Sequence, residues 1–172
     1  LLRRHPEPAR ALVVCGKGNN GRDGLVMSRL LQAEGWRCDV VFVLGSELSP
    51  LAETNRRRLL NLAGISFIGV QALPAQLAQQ RYDVLIEGIF GTGFAGRLPA
   101  AVAACCRLLN ASDGLKVALD MPTGLNGDTG DVDADVFRAE LTYTFGAYKP
   151  AHLMDAGRAV CGEIVCLDIG IQ

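Results

Sequence analysis

Short apolar runs with little polar alternation recur along the chain: Ala11 to Cys15, Val40 to Leu44, Ser66 to Val70, Val84 to Ile86, Val117 to Leu119, Leu141 to Phe145 and Glu163 to Leu167. Strands buried on both faces read this way, because helices on either side of a parallel sheet leave neither face wet. Stretches with helical spacing of apolar residues lie between most of them. Leu25 to Ala33 sets Leu25, Met27, Leu30 and Leu31 around one side, and Leu51 to Leu62 carries Arg56, Arg57 and Arg58 on what reads as a solvated face. Leu73 to Gln79 and Pro99 to Leu109 complete the set, with Pro99 placed as a first-turn proline. Strands and helices alternating in this order predict an α/β fold, an open sheet, mostly parallel, with helices on both faces. Ligands of such sheets bind beyond the carboxyl ends of the strands, so the loops after the apolar runs are where chemistry is expected.

Three of those loops stand out. The first is Gly16-Lys17-Gly18-Asn19-Asn20-Gly21-Arg22-Asp23-Gly24, between a strand and a helix. Gly16, Gly18 and Gly21 have the G-x-G-x-x-G spacing, which lets backbone N–H groups and a helix N-terminus approach an anion. A dinucleotide site of the usual kind also needs an acid at the end of the next strand, and here that strand ends Val41-Phe42-Val43-Leu44-Gly45 without one. Asn19, Asn20 and Asp23 exceed what a phosphate cradle needs. They supply oxygen ligands for a hard cation or polar contacts to a substrate, and Asp23 also reads as a helix N-cap. The second loop opens at Glu87 and continues through Gly88, Gly91, Gly93 and Gly96 to Pro99. An acid closing an apolar strand is costly if buried alone, so Glu87 is expected to have a cation or a donor as partner. The third runs from Asp120 through Thr123 to Gly130, where a carboxylate and a hydroxyl three residues apart could aim at one point. Three oxygen-bearing strand ends beside glycine turns read as one composite site.

Composition narrows the reading. The 172 residues suit one domain over positions 1–172, large enough to bury about 70% of the surface its unfolded form exposes and to fold without a metal or disulfide. Seventeen basic side chains against eighteen acidic ones give a net charge of −1, which argues against a nucleic-acid binder relying on an overall basic field. No apolar run approaches the roughly 18 residues of a membrane span, and nothing at the start reads as a signal peptide. The six cysteines show no C-x-x-C spacing and read as buried, reduced thiols of a cytoplasmic protein. Two histidines, His5 and His152, are too few for a histidine-rich metal centre; His152, following Lys149-Pro150-Ala151, could line a site but reads first as a solvated loop residue. Twenty glycines exceed the usual share of about 7%. Eleven of them crowd the three loops.

GKGNNGRDG, IEGIFGTGFAGRLP, LDMPTGLNGDTGDV and TFGAYKPAHLMDAGRAVCGEIVCLDIGI resemble, in order, the motifs of the NAD(P)H-hydrate epimerase family, also called the YjeF N-terminal domain. The resemblance covers essentially the whole chain. It implies a Rossmann-like, three-layer α/β/α fold, usually dimeric, that interconverts the R and S epimers of hydrated NADH and NADPH, cofactors damaged by a hydroxyl at C6 of the nicotinamide ring. It further implies a potassium ion in the site and an ADP- or ATP-dependent dehydratase as partner, often fused after this domain. By position, Asn19, Asn20, Gly21, Arg22 and Asp23 fall at one substrate-binding segment, and Gly91, Thr92, Gly93, Phe94, Ala95, Gly96 and Arg97 at a second. Asp120 falls at a substrate-contacting acid. Asn20, Glu87 and Thr123 fall at potassium ligands.

Certain positions depart from the family pattern. Arg22 stands where glycine is usual; if that position sits at positive φ, arginine costs about 1–2 kcal/mol there. Glu87 replaces aspartate and Thr123 replaces serine. The family carries an N-terminal helical segment, whereas about ten residues precede the first strand here. Asp120 is the expected acid–base group: it would protonate the departing C6 hydroxyl, take a proton from incoming water and stabilise the cationic ring between. Lys149 reads either as a helper to it or as an exposed loop lysine. The competing expectations are a non-catalytic ligand-binding or dimerisation scaffold of the same fold and, less well matched for want of the ribose acid, an NAD-dependent dehydrogenase.

Overall fold

The computed structural model describes residue 1, residues 7–45 and residues 47–167. His5 lies outside the described residues. Seven strands, β1 (Arg10–Cys15), β2 (Arg37–Phe42), β3 (Ile65–Ile68), β4 (Val84–Gly88), β5 (Leu115–Leu119), β6 (Leu141–Phe145) and β7 (Glu163–Leu167), form one sheet. Their order is β3-β2-β1-β4-β5-β6-β7, and every neighbouring pair is parallel. The order reverses between β1 and β4, so the chain leaves these two adjacent strands toward opposite sides and opens a crevice at their carboxyl ends.

Alternate residues of the strands supply two cores, making a three-layer α/β/α structure. Leu12 and Val14 of β1 face one way, against Leu73 of α3 (Leu73–Gln79) and Val102, Cys105, Cys106 and Leu109 of α4 (Ala100–Asn110). Ala11, Val13 and Cys15 face the other way, against Leu25 and Leu31 of α1 (Asn19–Ala33) and Ala52 and Leu59 of α2 (Pro50–Leu59). α5 (Asp155–Cys161) closes a smaller cluster with Val160 and Cys161 against Leu125, Val136 and Ala151. All six cysteines are free thiols and five are buried. Burial, with nearby carboxylates, pushes the thiols of Cys15, Cys38, Cys105 and Cys106 well above their ordinary range, so they pack as inert apolar groups. Among the described residues no helix is long and apolar enough to cross a membrane.

The elements depart from expectation where local contacts override the apolar pattern. β2 starts at Arg37 rather than Val40, because Asp39 is paired inside the sheet: its carboxylate accepts the Tyr82 hydroxyl at 2.6 Å. Pro99 is the residue before the first turn of α4, not in it. The Arg56 and Arg57 side chains bind Glu53 within α2, as a solvated face does. The largest difference is α1, which begins at Asn19, six residues before Leu25. Asp23 is therefore inside the helix. Its N-cap is Gly18, with no side-chain cap. Arg22 has no positive φ, so the arginine carries no backbone penalty.

Gly21 explains why a glycine-rich segment is helical here. A Cβ on Gly21 would sit 2.0 Å from the Gly16 carbonyl oxygen, whereas one on Gly18 would meet nothing within 4 Å. Glycine at position 21 serves the approach of α1 to the end of β1, not loop freedom. Gly21→Ala is expected to destabilise the protein by about 1–3 kcal/mol through backbone overpacking. Gly18→Ala should cost under about 1 kcal/mol as a cap change. Thermal melting of the two variants checks this, and equal Tm values would refute the assignment of close packing to Gly21.

Candidate active site

Asp120 follows the last residue of β5 and is the one non-glycine residue at positive φ among the described residues, at 67°. That backbone costs about 1–3 kcal/mol and persists only where surroundings hold it. Here they do. The Asp120 N–H donates to the Tyr143 carbonyl on the adjacent β6 at 2.6 Å, and the Asp120 carbonyl accepts from His152 Nε2 at 2.9 Å. The carboxylate meets Lys149 Nζ at 2.7 Å and accepts the Thr144 hydroxyl at 3.3 Å. Lys149 Nζ also donates to Thr144 Oγ1 at 2.9 Å and to the Phe145 carbonyl at 3.2 Å. Lys149 is thus the half-buried partner of Asp120 and not an exposed loop residue.

His152 corrects the expectation of a solvated loop histidine. It is 1% exposed, on a 3-10 turn formed by Pro150–Leu153. Burial pushes its imidazole below the ordinary value and the Lys149 ammonium adds to this, while the bond to the Asp120 carbonyl and the Asp120 charge oppose it.

A second polar group lies beneath the first. Glu87, 0% exposed, accepts the Ile89 N–H at 2.7 Å, the Thr123 N–H at 3.0 Å and the Thr123 hydroxyl. Its expected partners are therefore donors from the loops after β4 and β5. Burial raises its carboxyl to about 7, against the lowering effect of those hydrogen bonds. Thr123 Oγ1 accepts the Phe90 N–H at 2.9 Å, and Asn20 Nδ2 donates to the Phe90 carbonyl at 2.9 Å. One peptide segment thus ties Asn20, Thr123 and Glu87 together. Asn20 is 7% exposed, and its Oδ1 is buried without a hydrogen-bond partner. A buried acceptor left unmatched costs about 1–3 kcal/mol. An amide oxygen, a hydroxyl, a carboxylate and a carbonyl are the donors a hard cation takes. Among the described residues no cluster of three or more His, Cys, Asp or Glu could hold a metal ion, so the oxygen set relies on Asn20 and Thr123.

Of these groups, Asn20, Phe90 and Asp120 border a cleft of about 480 Å³ at the reversal of strand order. Lys17, Gly18, Asn19, Asn20 and Asp23 line one side, the Phe90 to Phe94 segment another, and Asp120 the floor. A Cβ on Gly91 would stand 2.8 Å from Asp120 Oδ2, so glycine there leaves the carboxylate its room. Burial raises the Asp23 carboxyl, opposed by Arg22 and reinforced by the charge of Asp120. The structure does not bring every expected residue to this wall. Gly21, in the first turn of α1, packs against the Gly16 peptide, Arg22 reaches Asp23 at 3.9 Å, and Ala95 lines neither this cleft nor its neighbour. Gly96 and Arg97 line that neighbouring cleft, of about 540 Å³, with Asn126 and the Asp131 to Asp135 segment. The sequence does not single out Thr144 or the Phe90 peptide, and it offers His152, three residues after Lys149, only as the second choice to a solvated residue.

Residues 1–151 match the family model of the YjeF-related protein N-terminus. The bifunctional NAD(P)H-hydrate repair enzyme Nnr of Pyrobaculum aerophilum is 38% identical over 175 residues, which take in 99% of this chain and 35% of that protein. The chain thus spans about a third of the length of this bifunctional relative. An NAD(P)H-hydrate epimerase of Rhodopirellula baltica is 32% identical, with 99% of this chain and 70% of that protein covered. One of Limosilactobacillus fermentum is 33% identical, with 98% and 78% covered. The crystal structure of the yeast protein ynu0 has a TM-score of 0.77 at 20% identity, over 97% of this chain and 72% of that one, a likeness of fold. The family match runs through every side chain that lines the cleft and through Lys149, and on that extent the chain belongs to the family of YjeF-related protein N-termini.

Proposed function

We propose that the chain is an NAD(P)H-hydrate epimerase, an isomerase that interconverts the R and S forms of hydrated NADH and NADPH. The single observation that carries this reading is the Asp120–Lys149 pair, 2.7 Å apart and set at the cleft of a fold whose relatives bear that name. The reaction needs a proton given to a leaving hydroxyl and a proton taken from a water. A carboxylate beside an ammonium can do both. The ring nitrogen's lone pair expels the C6 hydroxyl, which departs as water with a proton from the pair. The nitrogen-stabilised cation that remains lies beside the Asp120 carboxylate. Water then adds to the opposite face and returns a proton to the pair.

The rest of the substrate is assigned to the glycine-bordered walls. Asn19, Asn20 and Asp23 line the α1 side, with Gly21 and Arg22 in the same segment, and Gly91, Thr92, Gly93 and Phe94 line the opposite side, continued by Ala95, Gly96 and Arg97 toward the neighbouring cleft. Asn20, Glu87 and Thr123 would hold a potassium ion, which when bound supplies a fixed positive charge that draws the α1 and Phe90 segments together. The unmatched Asn20 Oδ1 supports that fit. The chain acts as one domain over positions 1–172, as a cytoplasmic homodimer, together with an ADP- or ATP-dependent dehydratase either fused to it or separate.

Purified chain given one epimer of hydrated NADH should raise the rate of interconversion, followed by chromatography. Asp120→Ala is expected to lower that rate by about 10²–10⁴-fold, the range of a lost acid–base group. An unchanged rate would remove Asp120 from the mechanism. Potassium is tested apart from turnover. At equal ionic strength the Tm should be higher in potassium than in sodium chloride, and Asn20→Ala should abolish the difference. Equal Tm values in the two salts for the wild-type chain would refute the ion assignment.

A further inference from the structure

His152 touches both members of the pair through their main chains. Its Nδ1 lies 2.8 Å from the Lys149 N–H, and its Nε2 lies 2.9 Å from the Asp120 carbonyl. A backbone N–H can only donate and a carbonyl can only accept. Nδ1 must therefore be bare and Nε2 must carry the proton. One neutral tautomer satisfies both bonds; an imidazolium would turn N–H against N–H at Lys149. From this geometry we propose that His152 is a positioning residue that sets the Asp120–Lys149 pair for proton transfer.

The proposal rests on the assignment of Asp120 and Lys149 to the chemistry, and it says why their geometry holds. Asp120 sits at a φ that its own backbone disfavours. Tyr143 anchors its N–H and His152 its carbonyl, so both peptide atoms flanking the strained Cα are pinned. The same imidazole fixes the main chain from which Lys149 reaches back to the carboxylate. Without it, the peptide after Asp120 keeps only the Met121 N–H bond to the Leu119 carbonyl, at 2.9 Å, and its carbonyl can turn, which moves the carboxylate away from the ammonium. Misplacement by about 1 Å at a reacting group costs about 10²-fold in rate.

The surroundings favour the neutral ring. His152 is buried, and the Lys149 ammonium and the Asp120 carboxylate act on it in opposite directions. The Tyr148 ring meets it edge-on with centroids 6.2 Å apart. Arg158 of α5 and Glu163 of β7 line a cleft of about 360 Å³ with it, so a cation and an anion share that wall with the imidazole.

Two histidines in the chain make the test direct. Long-range proton–nitrogen NMR of the wild-type chain, assigned by comparison with His152→Gln, should show His152 neutral and protonated at Nε2 at pH 7.5. A proton on Nδ1, or an imidazolium, overturns the proposal without any activity measurement. In the epimerase assay His152→Ala should lower kcat by about 10–100-fold with KM changed less than about threefold. His152→Gln, whose carbonyl accepts and whose amide donates, should recover most of that loss. If His152→Ala fails to fold, the NMR result and His152→Gln still decide: a glutamine variant that folds but is as impaired as Asp120→Ala refutes the positioning role. So does a kcat of His152→Ala within twofold of wild type while Asp120→Ala is inactive. A fully active Asp120→Ala removes the reading of the site itself, and this proposal falls with it.

Discussion

Backbone lying against backbone at the end of β1 is the constraint on which the rest depends. The Gly16 N–H donates to the Gly88 carbonyl at 2.9 Å, which joins the exits of β1 and β4. The first turn of α1 then descends onto the Gly16 peptide, with no space for a Cβ at position 21. Only such an approach carries Asn20 far enough beneath the second loop for its side chain to reach the Phe90 carbonyl. A helix seated a methyl group higher would leave the cleft without one of its walls. Glycine-rich segments in such folds are easily taken for flexible phosphate turns, and here the pattern records a fixed contact distance.

Two polar layers follow from that contact, with different electrostatic characters. The lower one, around Glu87, is sealed, and its carboxyl is raised by burial despite three donors. The upper one, around Asp120, is open to the cleft on one side and closed by Lys149, Thr144 and His152 on the other. A charge in the upper layer keeps partial access to water and an opposite charge at contact distance. That combination is what the proposed proton transfers at Asp120 require, while the lower layer keeps the loops in register. Strain at Asp120 fits the same division, since the strained residue is the one that lines the cleft.

Much of the fold was legible because strands buried on both faces must be apolar throughout. β6, β7 and α3 occupy the residues that pattern marks out. The errors have local causes. β2 was read short because Asp39 breaks its apolar run, and only the distant Tyr82 makes that acid tolerable in a sheet. α5 was missed because its seven residues bury only Gly157, Val160 and Cys161, too few to display a helical period. At the site, the oxygen-bearing residues were legible from their types and their positions after strands. The Thr123 donors of Glu87 and the role of His152 were not, since each depends on a main-chain atom 32 or more residues away in sequence. No side-chain pattern encodes a carbonyl's direction.

The all-parallel order of the sheet bears on how this site comes into being. Parallel neighbours cannot be joined by a tight hairpin, so each pairing waits for a crossover to close a long loop. Asn20 follows β1, Glu87 ends β4, Asp120 follows β5, and its N–H and carbonyl partners come from β6 and the turn beyond it. The groups are spread from Asn20 to His152. Folds dominated by such distant pairings assemble slowly. The walls of the cleft therefore wait for β4 and β5 to pair beside β1, and Asp120 gains its main-chain partners only when β6 and the turn beyond it have joined the sheet.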